Sequence, residues 1–338
     1  MITMANQVRR TGNSIIGLLV VMLLAGCGAD VAAPAAVPSP SPTSALTSIL
    51  APSPAPEATP ILGSGEMRHQ PNELGQVLIL EYHTIDNGGG DFTRSPEQFR
   101  ADLEWLHEHD FYVIPVRDYL ANEIKAPAGQ RPVVLTFDDG VVSQFRYVTD
   151  AGGERTLDPN SAVAVLEEFF SEHLDFGRGG LFSILPLAPF AWPDAPDQLE
   201  YAEEKLRWLL ANGYEIGNHT LGHNNLGELT SEEAMEDLAA AVDLIHEYVP
   251  GAPVEVIALP FGMYPPDESV LHGFDYQGQR YQFHGALMIG AGPALSPAHD
   301  DFDPFRVPRI QANDEELGKW FGHVEDNPGL IYVSDGNP

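Results

Sequence analysis

The sequence is poor in basic residues. It contains 17 lysines and arginines against 49 aspartates and glutamates, which gives the 338-residue chain a formal net charge of -32. A protein that binds a polyanion neutralises phosphates with basic side chains, and this chain has few of them. Nucleic acid is therefore excluded as a partner. The acidic balance identifies no substrate, because an acidic surface also serves solubility alone.

Cysteine is nearly absent, since Cys27 is the single one and no disulfide can form within the chain. It ends the sequence Leu24-Ala25-Gly26-Cys27, which resembles a bacterial lipobox and follows Arg9, Arg10 and a short apolar run. That run is only about ten residues long, too short to span a bilayer, and is typical of a secretory signal. Residues 1–27 are therefore predicted to be a lipoprotein signal peptide with Cys27 lipidated. The protein would then be exported and lipid-anchored to the bacterial membrane, facing the cell envelope or exterior. A buried unpaired thiol is the alternative.

Large apolar residues are scarce between residues 28 and 73. Alanine, proline and serine dominate there, as in the stretches 38–42 (PSPSP) and 52–56 (PSPAP). A segment of this composition cannot bury enough apolar surface to fold. We predict that residues 28–73 form a disordered tether and that residues 74–338 form one folded domain.

The rest of the chain alternates short apolar runs with amphipathic stretches, which indicates strands alternating with helices. Ser95-Pro96-Glu97 is typical of a helix start, and Thr230 and Glu233 have capping-box spacing. The runs are apolar throughout, as in parallel sheets buried on both faces. We predict an α/β fold, a distorted parallel (β/α) barrel of about seven to eight strands. The predicted strands are 76–83, 111–116, 133–137, 181–185, 214–219, 254–259, 286–289 and 330–333.

Polar side chains follow several of these strands. Asp138 and Asp139 come directly after strand 133–137, and His219 ends strand 214–219. In a β/α barrel the carboxyl ends of the strands meet at one end, where active sites lie. His219 and His223 are four residues apart and could face one cation if the segment turns helically. Two imidazoles and one aspartate would suit a catalytic divalent metal. A plain Asp-Asp-Gly turn and ordinary histidines are the alternatives.

Together these residues resemble the motifs of NodB-type polysaccharide deacetylases, carbohydrate esterase family 4. Thr136-Phe137-Asp138-Asp139-Gly140 matches the first motif, and His219-Thr220-Leu221-Gly222-His223 matches the His-(Ser/Thr)-x-x-His motif. The resemblance covers about residues 74–338. It implies that Asp138 is the general base and that the metal ligands are Asp139, His219 and His223. The implied metal is zinc, with cobalt or another divalent ion as alternatives.

Two departures from the family pattern stand out. The arginine that orients the base usually precedes a Pro-(Tyr/Phe)-Gly element by two residues, and Ala258 stands there instead. Arg306 or Arg309 could take its role. The usual general-acid histidine is replaced by Ser334, and serine is a poor acid at neutral pH. Other candidates for the acid are His83, His284, His299 and Asp335.

The resemblance implies an enzyme that hydrolyses N-acetyl groups of N-acetylglucosamine residues in a cell-envelope or extracellular polysaccharide. Its partners would be this glycan and, through Cys27, the membrane; the sequence does not indicate whether it has protein partners. Tyr264, Pro260 and Phe261 are predicted to lie near the substrate and the oxyanion. Because of the two departures, a catalytically impaired carbohydrate-binding lipoprotein is an alternative function. Because the histidine is absent, an O-acetyl (xylan) esterase is another alternative: the alkoxide that leaves an ester needs less help from an acid than the amine that leaves an amide.

Overall fold

The computed structural model describes residues 69–338. The predictions on residues 1–27, on Cys27 and on most of the tether lie outside this range. Within it, no helix is both long enough and apolar enough to cross a membrane.

One parallel sheet forms the centre of the domain, and it confirms the predicted fold class. Its strands are β1 (Leu78–Tyr82), β2 (Phe111–Val113), β3 (Arg131–Phe137), β4 (Leu181–Ile184), β5 (Glu215–Asn218), β6 (Val256–Ala258), β7 (Gly285–Leu287) and β8 (Ile310–Gln311). Along seven of them the order is β7-β6-β5-β4-β3-β1-β8, and β2 pairs with the start of β3. A parallel bridge from Leu287 of β7 to Val307 joins β7 to the segment that leads into β8, so the sheet curves into a distorted barrel.

Helices follow most strands and cover the outside of the sheet. Both predicted helix starts are confirmed: Ser95 caps α1 (Pro96–Glu108) in a capping box with Gln98, and Thr230 caps α5 (Ser231–Tyr248) in one with Glu233. These caps satisfy backbone N–H groups that have no partner within the helix. The helices are α1 (Pro96–Glu108), α2 (Val116–Leu120), α3 (Ala162–Glu172), α4 (Ala202–Ala211), α5 (Ser231–Tyr248) and α6 (Asp314–Asp326).

Short ribbons and 3-10 turns make up the connections. The ribbons pair Thr84–Ile85 with Thr93–Arg94, Tyr147–Thr149 with Arg155–Leu157, and Phe274–Tyr276 with Gln279–Tyr281. The 3-10 turns are Pro196–Tyr201, Leu226–Glu228, Pro260–Gly262, Glu268–His272 and Pro328–Leu330.

The core divides into two layers because side chains alternate along each strand. In β1, Leu78 and Leu80 pack outward into the cluster that contains Phe99 of α1. Ile79 instead belongs to a second cluster with Val134, on the inner side of the barrel. The same alternation decides which polar residues point inward near the carboxyl ends of the strands.

Two sequence-based boundaries were wrong. Residues 330–333 do not form a barrel strand: they make isolated bridges with the segment before β1, through Gln76 and Asn72. Their apolar character reflects burial against that segment, and the eighth strand is instead the two-residue β8, too short to show a pattern. Asn72 exchanges backbone hydrogen bonds with Val333, so residues near it belong to the folded domain and not to the tether.

Candidate active site

The candidate site lies at the carboxyl ends of β1, β3 and β5. Glu81 follows Ile79 by two residues, and Thr136 and Asp138 follow Val134 by two and four, so all three share the inner face of the barrel. Glu81, Thr136 and Asp138 are almost completely buried. Buried carboxylates require a partner that compensates for the loss of hydration.

Arg309, which directly precedes β8, is that partner. Its guanidinium binds Asp138 with both terminal nitrogens, Nη1 to Oδ1 at 2.8 Å and Nη2 to Oδ2 at 2.7 Å. The remaining donors reach Thr136 Oγ1 at 3.1 Å, Glu81 Oε1 at 3.1 Å and the Met288 carbonyl at 2.6 Å. All five guanidinium N–H groups therefore have an acceptor, although the side chain is fully buried.

This pairing sets the charge of the two buried acids. Burial acts to raise the pKa of Asp138, but Arg309 and His219 outweigh it and hold that pKa below its ordinary value. Burial dominates for Glu81 and raises its pKa. Asp138 is therefore ionised at neutral pH, as a proton acceptor must be. Glu81 was missed by the sequence analysis, because its inward direction follows from its position two residues after Ile79 only once the inner face of β1 is known.

Asp139, His219 and His223 come together beside this pair. Asp139 Oδ1 lies 3.3 Å from His219 Nε2 and 3.6 Å from His223 Nε2, and the three ligand atoms are within 4.8 Å of one another. Asp139 adopts a φ of 72°, a left-handed conformation that is uncommon for a residue with a side chain. This backbone turn directs Asp139 to the histidines while Asp138 faces Arg309.

The loop that carries the histidines is a fixed turn and not a helical one, yet it brings both imidazoles to Asp139. Thr220 and His223 have positive φ angles of 64° and 61°. Asn218 Oδ1 accepts a hydrogen bond from the Thr220 backbone N–H at 2.8 Å, and Thr220 Oγ1 accepts one from that of Asn224 at 2.9 Å. Asp237 of α5 accepts the Leu221 N–H at 2.9 Å. Since strained conformations persist only where the surroundings impose them, this loop is held in a defined shape.

The three residues fit a divalent metal ion. His219 Nδ1 lies 2.8 Å from the Ala258 carbonyl, which assigns the ring proton to Nδ1 and leaves Nε2 as an acceptor. That Nε2 is buried and makes no hydrogen bond within the described part of the chain, although Asp139 is close. Burial lowers the pKa of His223, which favours the neutral, ligating form. One carboxylate and two imidazoles are a donor set for zinc or a similar ion.

A second group of potential ligands adjoins the first and consists of Glu81, His83 and Asp138. Here the carboxylates already bind Arg309, whose charge repels a cation. His83 lies beside them: its side chain is 13% exposed, and Nε2 lies 3.9 Å from Glu81 Oε1. Gln144 joins the two strand ends by donating to the carbonyls of His83 at 2.8 Å and Asp138 at 2.5 Å.

The predicted place of the general acid at Ser334 was wrong. Ser334 lies at the opposite end of the barrel, where Oγ donates to the Ala126 carbonyl at 2.7 Å and the backbone N–H donates to Gln130, just before β3. The assignment failed because it took residues 330–333 for the last barrel strand. Among the other candidates, Asp335 adjoins Ser334, and His284 pairs with Glu255 at 3.6 Å on the surface.

The three residues predicted to lie near the substrate differ in their exposure and in the contacts of their side chains. Phe261 is 55% exposed and its ring centroid lies 4.6 Å from that of His223, so it stands at the rim of the site. Pro260 is buried and has no N–H to donate to an oxyanion. The Tyr264 hydroxyl is occupied, since it donates to the Phe305 carbonyl at 2.9 Å.

Comparison with known proteins agrees with this geometry. Residues 125–276 match the family model described as polysaccharide deacetylase, a range that contains Asp138, Asp139, His219 and His223 but neither His83 nor Arg309. The Bacillus subtilis protein named "Putative polysaccharide deacetylase YxkH" is 22% identical over 73% of this chain and 75% of its own.

Solved structures share the fold. The Streptococcus pyogenes deacetylase PplD, determined in complex with acetate, aligns with a TM-score of 0.53 at 16% identity and covers 73% of this chain and 99% of its own. BC0361, a polysaccharide deacetylase from Bacillus cereus, aligns with a TM-score of 0.52 at 17% identity and covers 73% and 69%, respectively.

Replacing Arg309 by lysine tests its role in orienting Asp138. Lysine keeps a positive charge but cannot bind both carboxylate oxygens in a planar fork. We expect kcat/KM for acetate release to fall about 10²-fold or more, because a misoriented base loses the reactive geometry. The acid limb of the pH profile should also move to higher pH, since the interaction that lowers the pKa of Asp138 is weakened. Arg306→Lys is the matched control, because Arg306 is exposed and pairs with Glu268. Equal activity of the two variants would refute the role of Arg309.

Proposed function

We propose that the chain is a polysaccharide deacetylase, since residues 125–276 match that family model, and that it hydrolyses N-acetyl groups of N-acetylglucosamine residues in a glycan, with the help of a divalent metal ion. The observation that carries the proposal is the separation of the two adjacent aspartates. Asp138 is paired with Arg309, and Asp139 faces His219 and His223. The proposed glycan is a cell-envelope or extracellular polysaccharide.

The proposed metal is zinc, or cobalt or another divalent ion, held by Asp139, His219 and His223. When bound, such an ion would supply Lewis acidity, which lowers the pKa of water and polarises an acetyl carbonyl. The two imidazoles and the single carboxylate favour zinc over magnesium or calcium, which prefer oxygen ligands.

The chain's own residues would move the protons. Asp138, ionised and held by both of its oxygens, accepts a proton from the attacking water. The water oxygen forms a bond to the acetyl carbon, and the carbon–nitrogen bond then breaks. The amine leaves with a proton, which we assign to His83 because its side chain is partly exposed and lies next to Glu81 and Asp138. The products are acetate and a glucosamine residue.

For each of the two departures from the family motifs, another residue of this chain lies beside Asp138 and takes the role of the missing one in this proposal. Arg309 contacts Asp138 although Ala258 stands at the usual arginine position, and the Ala258 carbonyl is a partner of His219. His83 lies near the base although Ser334 is remote. These contacts favour the proposal of an active amidohydrolase over that of an impaired binding protein. With His83 as the acid, an amide substrate is favoured over an ester, because a departing amine needs a proton more than an alkoxide does.

The division of roles between Asp138 and the metal ligands can be tested with the full chain and acetylated chito-oligomers. We expect Asp138→Asn to abolish acetate release and to retain zinc, because Asp138 is bound to Arg309 and not to the metal. His219→Ala should lose activity and the zinc ion held by Asp139, His219 and His223. Zinc content by elemental analysis and acetate release are the measurements. Loss of zinc in Asp138→Asn would contradict the assignment, and a zinc-loaded wild-type chain that releases no acetate would refute the function.

The role of His83 can be tested through the leaving group. Replacing it with glutamine should reduce amide hydrolysis by about 10²-fold or more, because the departing amine needs a proton. Hydrolysis of an aryl acetate with a good leaving group should change little. His284→Gln, at an exposed histidine paired with Glu255, is the control and should leave both reactions unchanged. An equal loss for both substrates in His83→Gln would show that His83 does not act as the acid.

We also propose that the protein is exported and anchored to the membrane through a lipidated Cys27. The support is the sequence Leu24-Ala25-Gly26-Cys27 after a short apolar run. Expressed in a bacterium, the full chain should carry fatty acids by mass spectrometry and sediment with membranes, and Cys27→Ser should do neither. Membrane association that is unchanged in Cys27→Ser would rule out this anchor.

A further inference from the structure

A further cluster of metal-ligating side chains, apart from the two at the candidate active site, lies at the other end of the barrel. It consists of His107 in the last turn of α1, His173 directly after α3, and Asp175 two residues later. Their ligand atoms lie within 4.8 Å of one another, and His107 Nε2 is 3.1 Å from Asp175 Oδ1. The ring centroids of the two histidines are 4.3 Å apart. This end of the barrel holds the start of β3, whereas Asp138 follows the end of β3, so the cluster is separate from the deacetylase site.

The three residues are held in place by elements that do not involve their ligand atoms. Arg100 of α1 forms ion pairs with Glu168 and Glu172 of α3, which fixes the two helices side by side. The turn after α3 is closed by a hydrogen bond of 3.0 Å from the Phe176 N–H to the His173 carbonyl. Gly177 then passes so close to β2 that a Cβ atom there would lie 2.4 Å from the Val113 carbonyl oxygen. The turn that carries His173 and Asp175 is thus anchored to the sheet.

The surroundings of the cluster favour a cation. His107 and Asp175 line a surface cavity of about 340 Å³ together with Glu108, Asp110 and Gln130. These five lining residues include carboxylates and no lysine or arginine. Gln130 Oε1 is buried there and accepts no hydrogen bond from residues 69–338, so the cavity contains an oxygen atom that is available to a cation or its water. A hydrated divalent ion can therefore reach the cluster without displacing a positive side chain.

We infer that His107, His173 and Asp175 bind a divalent transition-metal ion such as zinc. Two imidazoles and one carboxylate are the donor set that zinc prefers, and a small rotation of side chains that are partly exposed brings three such ligands to one ion. The ion joins the end of α1 to the turn after α3 and so stabilises the folded domain, because a ligand that binds only the folded state shifts the equilibrium toward it. This site is independent of the proposed deacetylase reaction.

Zinc stoichiometry of the full chain tests this inference. By equilibrium dialysis and elemental analysis, the wild type should bind about two zinc ions per chain, one at each three-ligand site. His107→Gln and Asp175→Asn should each remove one equivalent and leave deacetylase activity unchanged. Asp175→Asn is the safer variant, since this side chain is 76% exposed and its replacement does not disturb packing. His109→Gln is the matched control, because His109 pairs with Glu325 at 3.4 Å on the same helix end but outside the three-ligand cluster.

The two sites can be separated by variants. Asp139→Asn should lose the other zinc equivalent, and zinc should still raise the melting temperature of that variant. Adding Asp175→Asn to it should remove this stabilisation. If the wild type binds a single zinc that only Asp139→Asn removes, or if His107→Gln and Asp175→Asn retain full stoichiometry, the second site is refuted. A single zinc that only Asp175→Asn removes would support the second site and refute the metal in the deacetylase site.

Discussion

The buried ion pair between Arg309 and Asp138 is the interaction on which the site depends. Moving an arginine and two carboxylates out of water costs several kcal/mol per charge, and the cost is offset only when every donor and acceptor is matched. Here all five guanidinium donors have acceptors in Asp138, Thr136, Glu81 and the Met288 carbonyl. The arrangement joins the carboxyl ends of β1 and β3 to the residue that directly precedes β8. It also keeps Asp138 ionised in a place where burial alone would favour its protonated form. The loss of Arg309 would therefore affect both the folding of this end of the barrel and its chemistry.

Once Asp138 is fixed, its neighbour becomes available for a different task. The positive φ of Asp139 turns its carboxylate away from Arg309 and toward His219 and His223. Thr220, His223 and Phe261 also have left-handed conformations at this end of the barrel. Such conformations each cost free energy, and the hydrogen bonds of Asn218, Thr220 and Asp237 explain how the loop retains them. Two adjacent residues of the same chemical type thus acquire different environments from the backbone, which is how one short motif can supply both a base and a metal ligand.

Much of this could be predicted from the sequence, and the failures have identifiable causes. Strands and helix caps were predictable because their signals are local, as at Ser95 and Thr230. Asp138, Asp139, His219 and His223 were identified by two short motifs. The choice between Arg306 and Arg309 could not be made, since it depends on which side chain of the segment before a two-residue strand points into the barrel. Ser334 was misplaced because an apolar stretch buried against the segment before β1 has the same composition as a barrel strand. The role of Glu81 was available from strand alternation, but only after the inner face of β1 is known.

The most direct test of the account is a crystal structure of the full chain grown with zinc or cobalt, with anomalous scattering used to locate the ion. The account predicts an anomalous peak within bonding distance of Asp139, His219 and His223, with both oxygens of Asp138 still bound to Arg309. An ion bound instead by Glu81, His83 and Asp138, or a bond from Asp138 to the metal in place of its pairing with Arg309, would contradict the division of roles between the two aspartates.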